Sequence, residues 1–360
     1  MKKLLIPFLF LLCFGALSDQ KLKIEKIALV PDAIFRSKLN FRERAGLVLG
    51  TDFVLASSSR GWIASISTNE PKIIKRIKTH CKLASPANFD ENYVYYACQN
   101  GILIKQDLFS SEIIWQFKFF DSTASTPAIS EKFVVFQTGS GKIYCLNKSS
   151  GELCWLYRTG ATGKLSLRGA SQPLIDQNRV YVGGREGNLL CFQLESGKLI
   201  WKQKILKPSV LSDLDFQLLS DQTTIYASAK TGIAGVSKKS GKVFWTLDEE
   251  LKTKPSLDLA KIYLLNQSNE LLVVDSQVGL ILKRIPVERL KKEKPLGVFT
   301  RNGKVFILTR QKIFKLIGEN LKLIKNYPGK GAVAYLAKDK FYILNSKGYL
   351  LTVKLGVEQK

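Results

Sequence analysis

The side chains that most often do chemistry are few and far apart in this sequence. It contains one histidine, His80, beside Cys81, and a pair of carboxylates in one connector, Asp213 and Asp215. A single histidine excludes most metal sites and nearly all Ser-His or Cys-His catalysis, unless His80 is itself the catalytic residue. The two aspartates share one side of an extended segment, but no partner donors are identifiable near them. These residues favour a protein that is not an enzyme, with no catalytic residue and no metal site.

Two further patterns carry little chemistry. Gly139-Ser-Gly141 is half of a glycine-rich nucleotide loop, but it lies between two predicted strands and opens no helix. The six cysteines include no Cys-x-x-Cys, which argues against a zinc ribbon or a thioredoxin-like redox centre. Five of them follow the N-terminal segment, so at least one stays unpaired within the chain. The simplest interpretation is four or five buried apolar cysteines, with room for one disulfide.

The composition is that of a folded protein with a strong basic surplus. Hydrophobic residues make up 45% of the 360 residues and charged residues 24%, and the net charge is +25. That charge suggests nucleic acid, but the basic residues are scattered, and the densest run, Arg289–Lys294, includes Glu293. We therefore expect no nucleic-acid partner. The surplus is better suited to solubility and to contact with anionic membrane surfaces or acidic partner domains.

The N-terminus predicts export from the cytoplasm. Met1-Lys-Lys precedes an apolar run, Leu4–Leu12, and Ala16-Leu-Ser18 supplies the small residues that a signal peptidase needs. We expect a signal peptide over residues 1–18 and a periplasmic mature chain over 19–360. Lipidation of Cys13 is the alternative, although the residue before it is Leu12 and a lipoprotein signal prefers a small residue there.

The elements that position these residues follow from an internal repeat. Four segments share a Gly or small residue, an apolar strand, a turn and a second strand that ends on Trp. The tryptophans that close these units are Trp115, Trp155, Trp201 and Trp245, spaced by 40, 46 and 44 residues. Weaker copies place Lys75, Lys283 and Lys325 at the same position. Because of their fixed place, the tryptophans are predicted to pack between units rather than to stack on bases or sugars.

Each unit also has two upstream strands, as in Ser125–Ile129 followed by Phe133–Phe136. Equivalent first strands are expected at Ser171–Ile175 and Pro255–Leu259. Four short strands in about 42 residues are typical of a propeller blade. Seven units run from Leu47 to Gly329, and an eighth from Ala332 to Val357 lacks one strand, which Leu22–Val30 can supply. The sequence thus predicts an all-β, eight-bladed β-propeller in which an N-terminal strand completes the last blade, as one domain over 19–360.

Two connectors give the repeat a family resemblance. The units resemble the PQQ-type repeat, and Leu165-Ser-Leu-Arg-Gly169 before unit 4 and Leu211-Ser-Asp-Leu-Asp215 before unit 5 are similar to connectors of the BamB family. The resemblance implies a non-catalytic scaffold of the β-barrel assembly machinery, without cofactor, at the periplasmic side of the outer membrane. It further implies that the chain assists the folding and insertion of unfolded outer-membrane proteins.

In that family these connectors bind a POTRA domain of BamA. Carried over, the partner-binding residues are Leu165, Leu167, Arg168, Asp213 and Asp215. Leucines supply apolar contacts, arginine a planar donor fork and aspartates acceptors at the rim. The alternative is that Arg168 and the aspartates only link adjacent blades while the leucines pack inward. Both roles are compatible.

Two other functions share the repeat. A periplasmic PQQ-dependent quinoprotein dehydrogenase typically has an adjacent Cys-Cys pair and clustered Ca²⁺-binding oxygens, and this sequence has no adjacent cysteines. A generic periplasmic protein-interaction propeller remains the third possibility.

Overall fold

Short strands rich in Val, Ile, Leu, Tyr and Phe, separated by tight turns, form eight four-stranded antiparallel sheets arranged as a propeller. The computed structural model describes residues 24–28, 46–50, 52–58, 61–70, 72–121, 124–159, 171–207, 213–214, 216–337, 339–345 and 349–355. The predicted signal peptide and Cys13 lie outside these residues. Within them no helix is long and apolar enough to cross a membrane.

Each sheet is one blade, and its strands follow one another in the chain from the first to the outermost, except in blade 8. Blade 1 consists of β2 (Gly46–Leu49), β3 (Phe53–Ser58), β4 (Trp62–Ser67) and β5 (Ile73–Lys78). Blade 2 consists of β6 (Asn88–Asp90), β7 (Tyr93–Ala97), β8 (Ile102–Asp107) and β9 (Ile113–Lys118). Blade 3 consists of β10 (Ala128–Ile129), β11 (Phe133–Gln137), β12 (Lys142–Asn147) and β13 (Leu153–Arg158). Blade 4 consists of β14 (Leu174–Asp176), β15 (Arg179–Gly183), β16 (Asn188–Gln193) and β17 (Leu199–Lys204).

Blade 5 consists of β18 (Leu219–Ser220), β19 (Thr224–Ala229), β20 (Gly232–Ser237) and β21 (Val243–Leu247). Blade 6 consists of β22 (Ser256–Asp258), β23 (Lys261–Leu265), β24 (Glu270–Asp275) and β25 (Ile281–Pro286). Blade 7 consists of β26 (Pro295–Arg301), β27 (Lys304–Thr309), β28 (Lys312–Ile317) and β29 (Asn320–Asn326). Blade 8 consists of β30 (Gly331–Ala337), β31 (Lys340–Asn345), β32 (Tyr349–Lys354) and β1 (Ile24–Ala28). Two 3₁₀ turns lie at Arg185–Gly187 and Glu288–Leu290.

The ring closes as predicted. Strand β1 pairs antiparallel with β32, with Ile24 opposite Val353 and Ala28 opposite Tyr349. Ile27 of β1 packs in the same apolar cluster as Leu47 of blade 1. The N-terminal strand therefore completes blade 8 as its outermost strand and contributes to the apolar cluster that joins this blade to blade 1.

The two ends of the propeller differ in the loops that they carry. The connector face carries the connectors between blades and the hairpins between the second and third strands of each blade. The opposite hairpin face carries the hairpins between strands one and two and between strands three and four. This division follows from the consecutive antiparallel order of the strands.

The repeated tryptophan and the repeated glycine form one contact between neighbouring blades. The indole Nε1 of Trp155 in blade 3 donates to the carbonyl oxygen of Leu194 in blade 4 at 2.7 Å. The same ring covers Gly197, where an added Cβ would lie 2.5 Å from its Cγ. Gly197 also has a φ of +68°, which disfavours any side chain. The predicted packing role of the tryptophans is confirmed, and the glycine of the motif is explained by the ring that lies on it.

Register confirms two of the three weaker repeat copies. Trp115 lies opposite Lys105 in the fourth pair of its hairpin, directly before a β-bulge, and Lys75 and Lys283 occupy the same position in their blades. In blade 7 the bulge falls two pairs earlier, so Lys325 precedes the bulge but does not lie at the tryptophan position.

The first strands are shorter than predicted, and upstream of two of them the pairing continues only as isolated bridges, Ala124 with Thr138 and Leu251 with Asn266. Pro127 and Pro173, which lack an N–H, precede β10 and β14.

The expectation of four or five buried cysteines is wrong in part. Cys81 and Cys98 form a disulfide, and Cys145 and Cys191 are buried. Cys154 is exposed. It lies beside Trp155 on an outermost strand, where alternate residues face solvent, so its place in the repeat decides its exposure.

Candidate functional site

The connector between blades 3 and 4 ends against the second strand of blade 4. The side-chain amide of Gln137, at the end of β11, donates to the carbonyl oxygens of Ser171 at 2.8 Å and Gly183 at 3.0 Å. All three residues are buried. One side chain of blade 3 therefore fixes the end of the connector and the neighbouring strand of blade 4 together.

The connector between blades 4 and 5 contacts one hairpin of blade 4 twice, Gly183–Asn188, which we call the blade 4 hairpin. The backbone N–H of Ile205 donates to the Gly187 carbonyl at 2.8 Å, where the connector begins. The N–H of Leu214, in the last part of the connector, donates to the Gly184 carbonyl at 3.1 Å, and the Leu214 side chain is buried. Residues 208–212 between these points lie outside the described residues.

The two connectors meet at Gly183. A Cβ at this position would lie 2.7 Å from the carbonyl oxygen of Leu214 and 2.8 Å from Oγ of Ser171. Both contacts are shorter than a real Cβ makes, so only glycine lets the two connectors approach this closely. The tertiary structure thus brings the ends of the two connectors, separated by more than 40 residues, into contact with one residue.

Asp213 links its connector to the tip of the blade 4 hairpin. Its Oδ1 accepts from the backbone N–H of Glu186 at 3.1 Å, and Glu186 adopts a left-handed φ of 55°. The neighbouring Arg185 donates to the carbonyl oxygen of Gly139 in blade 3. The intramolecular linking role considered for the aspartates is therefore present at Asp213. It holds the hairpin tip that lies between the two connectors.

The five residues predicted to bind a partner divide unequally. Asp213 is described and lies at the blade 4 hairpin, whereas Leu165, Leu167, Arg168 and Asp215 lie outside the described residues. Arg168 precedes Ser171 by three residues, and Asp215 directly follows Leu214. Sequence reasoning missed Arg185 and Gln137. The Gly183-Gly-Arg-Glu-Gly187 turn was the available signal for Arg185, while nothing local marks Gln137.

The other residues that the sequence offered for catalysis or ligand binding lie in a connector, a hairpin and the buried core. His80 is exposed in the connector between blades 1 and 2. Gly139-Ser-Gly141 is a hairpin whose Ser140 N–H donates to Oδ2 of Asp121 at 3.1 Å. Burial raises the pKa of the Cys191 thiol to about 11, which leaves it protonated at neutral pH. Within the described ranges, no group of three or more His, Cys, Asp or Glu side chains could hold a metal.

Comparison with known proteins gives the family. The family model for the outer membrane protein assembly factor BamB matches residues 48–284, which is well over half of the chain. The chain belongs to the BamB family. Among curated relatives, BamB of Yersinia pestis is 26% identical over 198 residues, which cover 53% of this chain and 50% of that protein. BamB of Moranella endobia is 25% identical over 197 residues, covering 52% and 50%. The chain spans about half the length of these relatives.

Solved structures agree on the fold. The crystal structure of BamB from Moraxella catarrhalis superimposes with a TM-score of 0.77 at 17% identity, covering 92% of this chain and 98% of that one. The computationally designed Ika8 protein reaches a TM-score of 0.71 at 11% identity over 87% of this chain and 97% of its own. At these identities the likeness concerns the fold alone.

Proposed function

We propose that this chain is a non-catalytic scaffold of the β-barrel assembly machinery that binds a POTRA domain of BamA. The observation that carries the proposal is the contact of both family-type connectors with Gly183. A partner that reaches one connector also reaches the other, so apolar and acidic residues from two loops can act as one surface. Family membership supports the same role, since the related proteins are named as outer membrane protein assembly factors.

The chemistry of the proposed surface is that of a hot spot with a polar rim. Leu165 and Leu167 supply apolar contact area, and Arg168 supplies a fork of donors for carbonyl or carboxylate groups. Asp213 stabilises the surface indirectly, because it holds the backbone of the blade 4 hairpin. The contacts of Ser171 and Leu214 with Gly183 fix the described ends of both connectors, which lowers the entropy lost on binding.

A second part of the proposal concerns unfolded outer-membrane proteins. The outermost strand of each blade has a hydrogen-bonding neighbour on one side only. The residue before the Trp position on these strands is apolar and exposed in several blades, as at Ile114, Ile200 and Phe244. An extended substrate strand can add to such an edge by β-augmentation and lay alternate apolar side chains against these residues. The scaffold would act in the periplasm, at the inner face of the outer membrane.

Binding to the immobilised periplasmic region of the cognate BamA tests the docking proposal. Leu167→Ala with Arg168→Ala should weaken binding at least about tenfold, equivalent to about 1.4 kcal/mol. The control is Arg289→Ala, which removes an exposed arginine from the connector between blades 6 and 7 on the same face. Equal binding by the double variant and the natural chain would show that the interface is elsewhere. Absence of any BamA binding would favour the generic interaction propeller.

The substrate proposal is tested with a urea-unfolded outer-membrane porin diluted onto the same immobilised chain. Ile200→Ser with Phe244→Ser should reduce porin capture while leaving BamA binding unchanged. The enzyme alternative has its own readout, because a quinoprotein dehydrogenase would bind added PQQ and Ca²⁺ tightly and reduce a redox dye.

A further inference from the structure

Three strongly exposed apolar side chains lie together on the hairpin face of blade 6. Leu259 is 69% exposed, Val278 65% and Leu280 63%. Leu259 lies in the hairpin between β22 and β23, and the other two lie in the hairpin between β24 and β25. The two hairpins adjoin, since the N–H of Ser276 donates to the carbonyl of Ala260 at 3.0 Å. We call these three residues the blade 6 patch.

The repeat shows that the fold does not require apolar residues there. Counted from the motif glycine, Val278 takes the place of serines and Leu280 the place of charged residues in blades 3 to 5. The equivalent serines are Ser150, Ser196 and Ser240, and the equivalent charged residues are Glu152, Lys198 and Lys242. All four hairpins place the glycine at a positive φ. The same turn therefore forms with polar residues, and blade 6 is the departure.

Leu259, the third patch residue, is also unexpected, because its backbone is left-handed. Leu259 and Ala260 are consecutive left-handed residues, with φ of 48° and 58°. Asn-Gly is the preferred pair for such a turn, and blade 7 uses Asn302-Gly303 at the neighbouring position. Asp258 Oδ2 accepts from the Gly303 N–H at 2.7 Å, which keeps the two hairpins side by side. Turn geometry gives no reason for a leucine at this exposed site.

The charged residues around the patch are predominantly basic. The exposed basic residues on the hairpins of blades 5, 6 and 7 are Lys239, Lys242, Lys261, Arg301 and Lys304. Of the acids on the same hairpins, Asp221, Asp258 and Asp275 accept hydrogen bonds from backbone N–H groups of the hairpins themselves, and Glu319 pairs with Lys283 at 3.2 Å. Exposed apolar side chains within a ring of lysine and arginine are the combination that surfaces of anionic membranes attract.

The first described strand begins on the same face as the patch. Ile24 pairs with Val353 at the end of β32, so the chain enters β1 from the hairpin face. A membrane on this side leaves the connector face available to a protein partner at the same time. We propose that the blade 6 patch binds the surface of an anionic phospholipid membrane, with the three apolar side chains in the headgroup region and the basic residues facing lipid phosphates. The inference does not rest on the docking of BamA.

Flotation with lipid vesicles tests the proposal. The mature chain over residues 19–360, which carries neither the apolar leader nor Cys13, is mixed with vesicles of phosphatidylglycerol and phosphatidylethanolamine or of phosphatidylcholine alone. We expect binding to the anionic vesicles and little binding to the neutral ones. Val278→Ser with Leu280→Lys, which restores the residue types of blade 5, should lower the partition coefficient at least about tenfold.

This variant also separates the patch from general electrostatic attraction, because it adds a positive charge. Attraction by net charge alone predicts stronger binding, and that result would overturn the proposal. The matched control is Leu153→Lys, which makes the same change at an exposed leucine of the outermost strand of blade 3, and it should not weaken binding. No flotation with anionic vesicles would also overturn it. The proposal would also fail if Val278 and Leu280 were needed for capture of unfolded porin and not for binding of lipid. Far-UV circular dichroism confirms that each variant is folded.

Discussion

The contact between Trp155 and Gly197 predicts a measurable coupling between neighbouring blades. Gly197→Ala introduces two penalties that can be separated, one from backbone strain and one from overpacking against the Trp155 ring. A left-handed alanine costs about 1 kcal/mol in backbone strain, and overpacking against the ring adds about 2 kcal/mol. The second penalty arises because the new Cβ would lie 2.5 Å from Cγ and 2.6 Å from Cδ2 of Trp155. We therefore expect Gly197→Ala to destabilise the protein by about 3 kcal/mol.

Removing the ring should remove the second penalty. Trp155→Ala alone should cost about 4 kcal/mol, since it empties a buried site and leaves the Leu194 carbonyl without its donor. In that background Gly197→Ala should cost only the backbone strain of about 1 kcal/mol. The double-mutant cycle thus predicts a coupling energy of about 2 kcal/mol between residues on different blades.

Urea unfolding followed by far-UV circular dichroism and by fluorescence measures these free energies, provided that the two transitions coincide. Gly318→Ala is the control, because Gly318 has a φ of +60° and nothing lies within 4 Å of an added Cβ. It should cost only about 1 kcal/mol. If Gly197→Ala has the same cost with and without the tryptophan, the ring does not select the glycine and the explanation of the motif fails.

Two further predictions concern covalent and ionisable groups. Cys81→Ser with Cys98→Ser should lower the free energy of unfolding by about 3 kcal/mol, because the disulfide closes a loop with a sequence separation of 17. Urea unfolding with and without dithiothreitol measures this loss of stability, and an unchanged urea midpoint would contradict the prediction. Burial is the largest cause of the raised pKa of Tyr181 and Tyr226, which is about 12 in the folded protein against 10.0 when unfolded. The stability from keeping these phenols neutral is complete below pH 10 and is lost as the pH rises from 10 to 12. Each should add a slope of about −1.4 kcal/mol per pH unit there. Tyr226→Phe should flatten the dependence of the urea midpoint on pH, and an identical slope would refute the assignment.

Much of the fold follows from a repeat of short sequence segments. The recurrence of glycine, two apolar strands and tryptophan about every 42 residues marks the blades. The count of strands then requires an N-terminal strand to finish blade 8, and β1 does so at Ile24–Ala28. Blades 1 to 7 were predictable because each is formed by residues close in sequence, and turn glycines such as Gly197 have a backbone requirement of their own. Blade 8 was predictable for a different reason, since its last unit lacks one strand and the N-terminal segment is the strand left over.

The site depended on contacts that no local pattern contains. Gln137, Ser171, Gly183 and Leu214 meet because the packing of neighbouring blades brings together residues that are 12 to 46 positions apart. The pairing of Cys81 with Cys98 was likewise open among five candidates until the connector was placed against β7. The blade 6 patch joins two hairpins that are remote from β1 in sequence but lie on the hairpin face, from which the chain enters β1. The sequence by itself determined the repeating unit, its number and its closure. Only the tertiary structure decided which loops share a surface, because that depends on how the blades pack around the ring.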